Sequence, residues 1–178
     1  MKKRELEFTL RAAARIAGDR EFFVIGSQAV PAFCRRPPAE VLLSQECDLY
    51  PKHRPEMANI IESKLGRRST FARTNGFYAD VVTPELASLP FGWERRLKIF
   101  SAGSVTALCL EVHDLIVSKL AAGRLKDLEF IGALLRRNLA DPQIIRKRIR
   151  QFPIERDWGR FSMRLQVILD DLHLDIKK

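Results

Sequence analysis

The sequence predicts an α/β fold, with an α/β front of about a hundred residues joined to a helical back. Three observations predict it. Between Glu21 and Leu110, short β-branched or aromatic runs alternate with amphipathic stretches. Gly, Pro and Asn turn signals separate these runs. From Glu111 onward the apolar spacing becomes helical and stays so. The expected division is residues 1–110 for the α/β core and 111–178 for a helical region packed on it, as one compact unit without a clear linker.

In order, Leu6, Leu10, Ala13, Ala14 and Ala17 recur at helical spacing and Gly18 stops the run, so the chain opens with an amphipathic helix. Glu21 to Ile25 predicts a buried strand. Gly26-Ser27 is then a strand-to-helix turn, with Ser27 capping a short helix from Gln28 that Arg35-Arg36-Pro37-Pro38 ends. Val41 to Tyr50 is a second strand candidate, although its first half also suits a loop or helical turn. Pro55 to Leu65 reads as a helix with Pro55 in its first turn and Gly66 behind it. Phe77 to Val82 is a third strand, entered through Asn75-Gly76, and Pro84 to Pro90 is a loop. Leu97 to Phe100 and Val105 to Leu110 are two more short strands. Val112, Leu115, Ile116 and Leu120 then mark one helix face, and Leu128, Ile131 and Leu135 another after Gly123. Asp141-Pro142 starts a third helix, and Phe161 to Leu172 a fourth.

At 178 residues, with 46% hydrophobic and 30% charged residues, the chain suits one soluble globular domain and not a disordered one. Its formal charge of +9 favours a polyanionic partner, nucleic acid or nucleotide ahead of an acidic membrane surface. Met1-Lys2-Lys3-Arg4 is like the start of a signal peptide, but Glu5, Glu7, Arg11 and Arg15 interrupt the apolar stretch it would need, so no secretion is expected. No run is long and apolar enough to span a membrane. Cys34, Cys47 and Cys109 are odd in number and far apart, as expected of reduced thiols in a cytoplasm, and the scattered histidines give zinc little support.

Alternate strand residues share a face, so Glu46 and Asp48 project together while Cys47 and Leu49 point the other way. Two adjacent carboxylates repel unless a cation joins them, and hard, oxygen-ligated Mg²⁺ is the natural one in a phosphate enzyme. Asp80, set in the apolar run Tyr78-Ala79-Asp80-Val81-Val82, supplies a third oxygen ligand if its strand is a neighbour. Three such carboxylates can hold two metal ions across an in-line displacement. Gly26-Ser27 allows close backbone approach and a phosphate at the turn. Taken singly, such a turn is most often structural, and an acid-x-acid pair is most often an exposed edge strand with solvated charges.

Lys119 falls on the apolar stripe of Val112, Leu115 and Ile116, where a cation either snorkels to the rim or meets a phosphate or carboxylate. Asp127 borders the next apolar face, as a structural ion-pair partner of Lys119, Arg124 or Lys126 or as a catalytic acid.

Taken together, Gly26-Ser27, Glu46-Cys47-Asp48 and Ala79-Asp80-Val81 resemble the three-part signature of the DNA polymerase beta-like nucleotidyltransferase superfamily. Asp114 to Leu120 followed by Arg124-Leu125-Lys126-Asp127 further resembles its AbiEii-like branch, known for toxins of toxin-antitoxin and abortive-infection systems. The resemblance covers roughly Phe22 to Leu135. It implies a mixed sheet flanked by helices and a nucleoside triphosphate held through Mg²⁺. The nucleotidyl group would pass to an acceptor such as a tRNA end, and a cognate antitoxin would be a partner. By this likeness Glu46, Asp48 and Asp80 hold metal, Gly26 and Ser27 the triphosphate, and Lys119 phosphate charge, with Arg124, Lys126 and Asp127 in support. Two departures stand out: Glu46 where the branch usually has Asp, and Phe130 where it usually has another acid. Either change suits an altered substrate, or a catalytically inactive module of this fold that binds RNA or a partner protein.

Between Arg136 and Arg164 nine basic residues face three acids. This stretch suits either an RNA backbone or a solvated helix face. Trp93 and Trp158 are expected to pack more than to stack on bases. A dinucleotide-binding turn at Val24-Ile25-Gly26-Ser27 lacks the spaced glycines that it requires.

Overall fold

The computed structural model describes residues 1–174. The chain divides into two compact units, one of Met1–Ala87 with Leu97–Leu110 and one of Ser88–Arg96 with the chain from Glu111 on.

The first unit opens with α1 (Lys3–Ala17), which buries Leu6, Leu10, Ala13 and Ala17 and ends where Gly18 turns left-handed at φ 64°. Then follow β1 (Glu21–Val24), the 3-10 helix Ser27–Ala32, α2 (Ala39–Leu42) and β2 (Glu46–Pro51). A 3-10 turn, Pro55–Met57, runs into α3 (Ala58–Leu65), and α4 (Thr70–Asn75) precedes β3 (Tyr78–Val81). After the 3-10 turn Pro84–Ala87, β4 (Lys98–Ala102) and β5 (Val105–Cys109) complete a sheet of order β3-β2-β1-β5-β4. The sheet is mixed: β1 is antiparallel to β2 and parallel to β5, β2 is parallel to β3, and β4 is antiparallel to β5.

Strand alternation gives the sheet two unlike faces. Phe22, Val24, Cys47, Leu49, Ala79, Ala107 and Cys109 are fully buried, and α1 and α3 pack on the sheet. Burying a side chain such as Phe22 or Leu49 stabilises the unit by about 1.5–3 kcal/mol. Phe23, Glu46, Asp48 and Asp80 alternate with these and are only half-buried.

One expectation is corrected, one open alternative is settled and one helix is added. Ser27 makes no capping bond, because Gly26 is the cap residue and Ser27–Ala32 winds as a 3-10 helix. Pro31 within it has no N–H to give to an α-helical ladder. The second strand begins only at Glu46, since Ala39–Leu42 is a helical turn. The helix α4 has no apolar stripe to announce it. It is held by Ser69, whose hydroxyl accepts the Ala72 N–H at 3.1 Å, and it ends at Gly76, φ 74°.

The second unit packs α5 (Val112–Ala122), α6 (Leu125–Arg136), α7 (Pro142–Ile149) and α8 (Trp158–Asp171) around Leu115, Ile116, Leu120, Ile131, Leu134, Phe161 and Leu165. Two of its helix starts are capped by side chains. The Glu111 carboxylate accepts the His113 N–H at 3.0 Å, and Asp141 accepts that of Gln143 at 2.8 Å ahead of Pro142. Arg164 donates to the carbonyl of Leu120 at 2.5 Å, satisfying the end of α5. The segment Ser88–Arg96 is held by Arg96, whose Nε and Nη2 donate to the two oxygens of fully buried Asp114 at 2.8 and 3.0 Å. Trp158 donates Nε1–H to the carbonyl of Phe152 at 2.9 Å, a packing role. Among the described residues no helix is long and apolar enough to cross a membrane.

Candidate active site

In the first unit β2 and β3 run parallel with Glu46 opposite Tyr78 and Asp48 opposite Asp80. Parity puts all four side chains on the less buried face, and neighbouring strands stand roughly 4.8 Å apart. The three acids expected to act together therefore share one face of two adjacent strands. The Tyr78 hydroxyl donates to Glu46 Oε2 at 3.2 Å. Burial first, and then the negative charge of Glu46, raise the Asp80 carboxyl above its ordinary range, against the pull of Arg67. Burial and the Glu46 carboxylate likewise raise the Tyr78 phenol.

The turn after β1 is built against this pair. Ile25 donates its N–H to the Asp48 carbonyl at 2.9 Å, which carries the chain alongside Asp48. At Gly26 a Cβ would lie 1.4 Å from Asp48 Oδ2 and 2.5 Å from its Cγ. The backbone there, φ −94° and ψ −159°, is open to any residue. Space and not torsion thus demands glycine, and the Asp48 carboxylate fills the place a side chain would take. Ser27 and Gln28 follow, both buried. On the outer edge, Glu62 accepts the Val81 N–H at 3.0 Å and covers part of the open edge of β3.

Among the described residues no group of three or more His, Cys, Asp or Glu side chains is placed to hold a metal ion. The donor set nevertheless suits Mg²⁺. This ion keeps several waters and takes one or two carboxylates, filling the remaining positions from substrate phosphates. Asp48 and Asp80, in register with hard oxygen donors, fit that description, and Glu46 stands beside them.

The remaining expected residues belong to the second unit. Lys119 Nζ meets Asp127 Oδ1 at 3.0 Å, and Arg124 reaches the same carboxylate through Nε at 2.6 Å and Nη2 at 3.3 Å. Burial pushes the Asp127 carboxyl up, but the Arg124 and Lys119 cations outweigh it and hold it below its ordinary range. Lys119 Nζ also lies 4.5 Å from the centre of the Phe130 ring. A cation on an apolar stripe is thus explained by a carboxylate on one side and an aromatic face on the other. Lys126 is exposed in the first turn of α6.

Much of the basic stretch has a structural task. Arg148 sits 3.3 Å from Asp114 and donates to Gln151, Arg160 pairs with Asp157 at 3.0 Å, and Arg146 bonds Gln166 at 2.7 Å. Arg67 is what the sequence reading missed. It follows Gly66 at the end of α3 and acts electrostatically on both Asp80 and Tyr78. Only the arginine pair at residues 67 and 68 hinted at it, and nothing in the spacing tied that pair to β3.

Residues 14–163 match the family model described as "Nucleotidyltransferase of unknown function (DUF6036)", a span containing Gly26, Ser27, Glu46, Asp48, Asp80, Lys119 and Asp127. No curated protein and no solved structure gives a significant match.

Proposed function

The chain belongs to this nucleotidyltransferase family, and from that premise we propose that it moves a nucleotidyl group from a nucleoside triphosphate to an acceptor, a tRNA or other RNA end. The observation that carries the reading is the in-register pair Asp48 and Asp80, with Glu46 on the same face and Gly26 beneath Asp48. The acceptor hydroxyl oxygen bonds to the α-phosphorus, the bond to the β-phosphate oxygen breaks, and pyrophosphate leaves. Asp80, on the face shared with Asp48, is the residue placed to take the hydroxyl proton in this reading. Asp48 and Asp80 would hold Mg²⁺, with Glu46 completing a site for one or two ions. Bound Mg²⁺ supplies charge neutralisation at the phosphate oxygens. Ser27, directly after the turn, faces the triphosphate in this reading. By likeness to the AbiEii-like branch, Lys119 would take phosphate charge, with Arg124, Lys126 and Asp127 as supporting residues. The same likeness supports a toxin-like role with a cognate antitoxin protein, and the free Cys34, Cys47 and Cys109 support a cytoplasmic one.

Incubation with labelled triphosphates, Mg²⁺ and total tRNA tests the proposal. Label should reach RNA with the wild-type chain and not with Asp48→Ala. Label transfer that survives Asp48→Ala would sink the assigned site, and no transfer to any RNA would sink the activity. A second reading, a binding module without turnover, draws on one observation: Glu46 is already engaged by Tyr78. Calorimetry separates the two, because the enzyme binds triphosphate only with Mg²⁺ and loses that binding in Asp48→Ala.

A further inference from the structure

We propose that the outer face of α1, together with α4, is a binding surface for single-stranded RNA. The inner side of α1 is accounted for by its buried Leu6, Leu10, Ala13 and Ala17. Its outer side carries Arg4, Phe8, Arg11 and Arg15, all exposed. At 100° per residue these four fall within roughly a 60° arc, and at 1.5 Å per residue they extend over roughly 16 Å. Among the described residues Arg4, Arg11 and Arg15 have no ion-pair partner, so their charge is available to a ligand.

Phe8 is 45% exposed, unusual for a large aromatic residue. Its ring is stacked on that of Phe71 from α4, with centroids 5.7 Å apart and planes 13° from parallel. Phe77 meets the Phe8 ring edge-on at 6.2 Å and that of Phe71 at 5.7 Å. The pile holds Phe8 rigid, with guanidinium groups one turn before and one turn after it. Arg68, exposed just ahead of α4, adds a further cation.

A fixed aromatic ring flanked by unpaired cations matches an unpaired nucleotide strand, whose bases stack on the ring while its phosphates meet the arginines. Duplexes hide their base faces, and splayed single strands read by Phe and Arg are the common mode for RNA. The surface lies beside the site strand, because Phe77 directly precedes β3 and stands three residues, roughly 10 Å of extended chain, before Asp80. That the bound strand is the acceptor rests on the transferase reading; the binding itself does not.

The test is fluorescence anisotropy with the full chain and a labelled single-stranded RNA of about 12 nucleotides. Binding should weaken steeply with salt, and Arg11→Gln/Arg15→Gln should lower affinity about tenfold or more and flatten the salt dependence. Phe8→Ala should lower it about fivefold or more without changing the salt slope. If Phe8→Ala melts well below the wild type, the exposed arginine variants carry the test alone. RNA that binds normally but receives no label sinks the transfer reading alone. Four results would each overturn the surface: no binding by the wild type, arginine variants within about twofold of it, tighter binding of DNA of the same sequence, or equal competition by an acidic peptide.

Discussion

Gly26 and Asp48 occupy what is in effect one side-chain volume: the carboxylate of Asp48 lies where a Cβ on residue 26 would be. The Gly-Ser turn is therefore a packing partner of the acid pair. Because the glycine backbone is extended, the constraint comes wholly from the neighbour.

Gly26→Ala should displace Asp48. A methyl group 1.4 Å from Oδ2 and 2.9 Å from Asp48 Cβ cannot be relieved by turning the carboxylate alone. The expected outcome is a loss of about 1–3 kcal/mol in stability from overpacking. Nucleotidyl transfer should fall about a hundredfold or more. Denaturant melts and single-turnover transfer assays measure the two together. Wild-type transfer in Gly26→Ala would contradict the assignment of Asp48.

Asp80→Asn should remove transfer while making the metal-free protein more stable, by about 0.5–1 kcal/mol, because Asp80 is half-buried near the Glu46 charge. Thermal melts with and without Mg²⁺ check this. The ion should raise the melting temperature of the wild type and leave that of the variant nearly unmoved, while chelation should return the wild type to its metal-free value.

Asp127→Asn should cost about 3 kcal/mol at neutral pH, the low end for a broken buried pair, since the Arg124 side chain is largely exposed and only Lys119 is left mostly buried beside the lost charge. The folded carboxyl of Asp127 is depressed below its ordinary 3.8, so its stabilisation is fully present above that value and is lost as pH falls through the folded one. Urea midpoints of wild type and variant should accordingly converge below about pH 4.

Arg96→Ala should cost about 3–5 kcal/mol at neutral pH by stranding Asp114, with Arg148 at 3.3 Å holding the loss toward the lower figure. Burial raises the Asp114 carboxyl above 3.8, and losing Arg96 raises it further. A raised carboxyl contributes stability below its unfolded pKa and loses it as pH rises through the folded one. The deficit of the variant should thus be smallest in acid and grow toward neutrality, as chemical denaturation across that range would reveal.

The strands and long helices were legible because each buries a periodic face. Phe22 and Val24 alternate with Phe23, and Leu115, Ile116 and Leu120 repeat at helical spacing. The acids Glu46, Asp48 and Asp80 were legible because a carboxylate within an apolar run is costly without a partner. The 3-10 winding of Ser27–Ala32 and the helix Thr70–Asn75 were not, for both are short and are decided by one proline and one capping hydroxyl. Lys119 was legible as an anomaly, yet its partners were left open among a phosphate, a carboxylate and solvent.

The sequence by itself determined the five strands and the long amphipathic helices, and that three carboxylates project from strands whose other faces are apolar, because periodicity and burial are local properties of the chain. Tertiary structure alone decided that Asp48 stands opposite Asp80, that it fills the space left by Gly26, and that Asp127 and the Phe130 ring receive Lys119. Those facts depend on register and close packing between distant segments, and one residue of slip would have turned each acid to the other face.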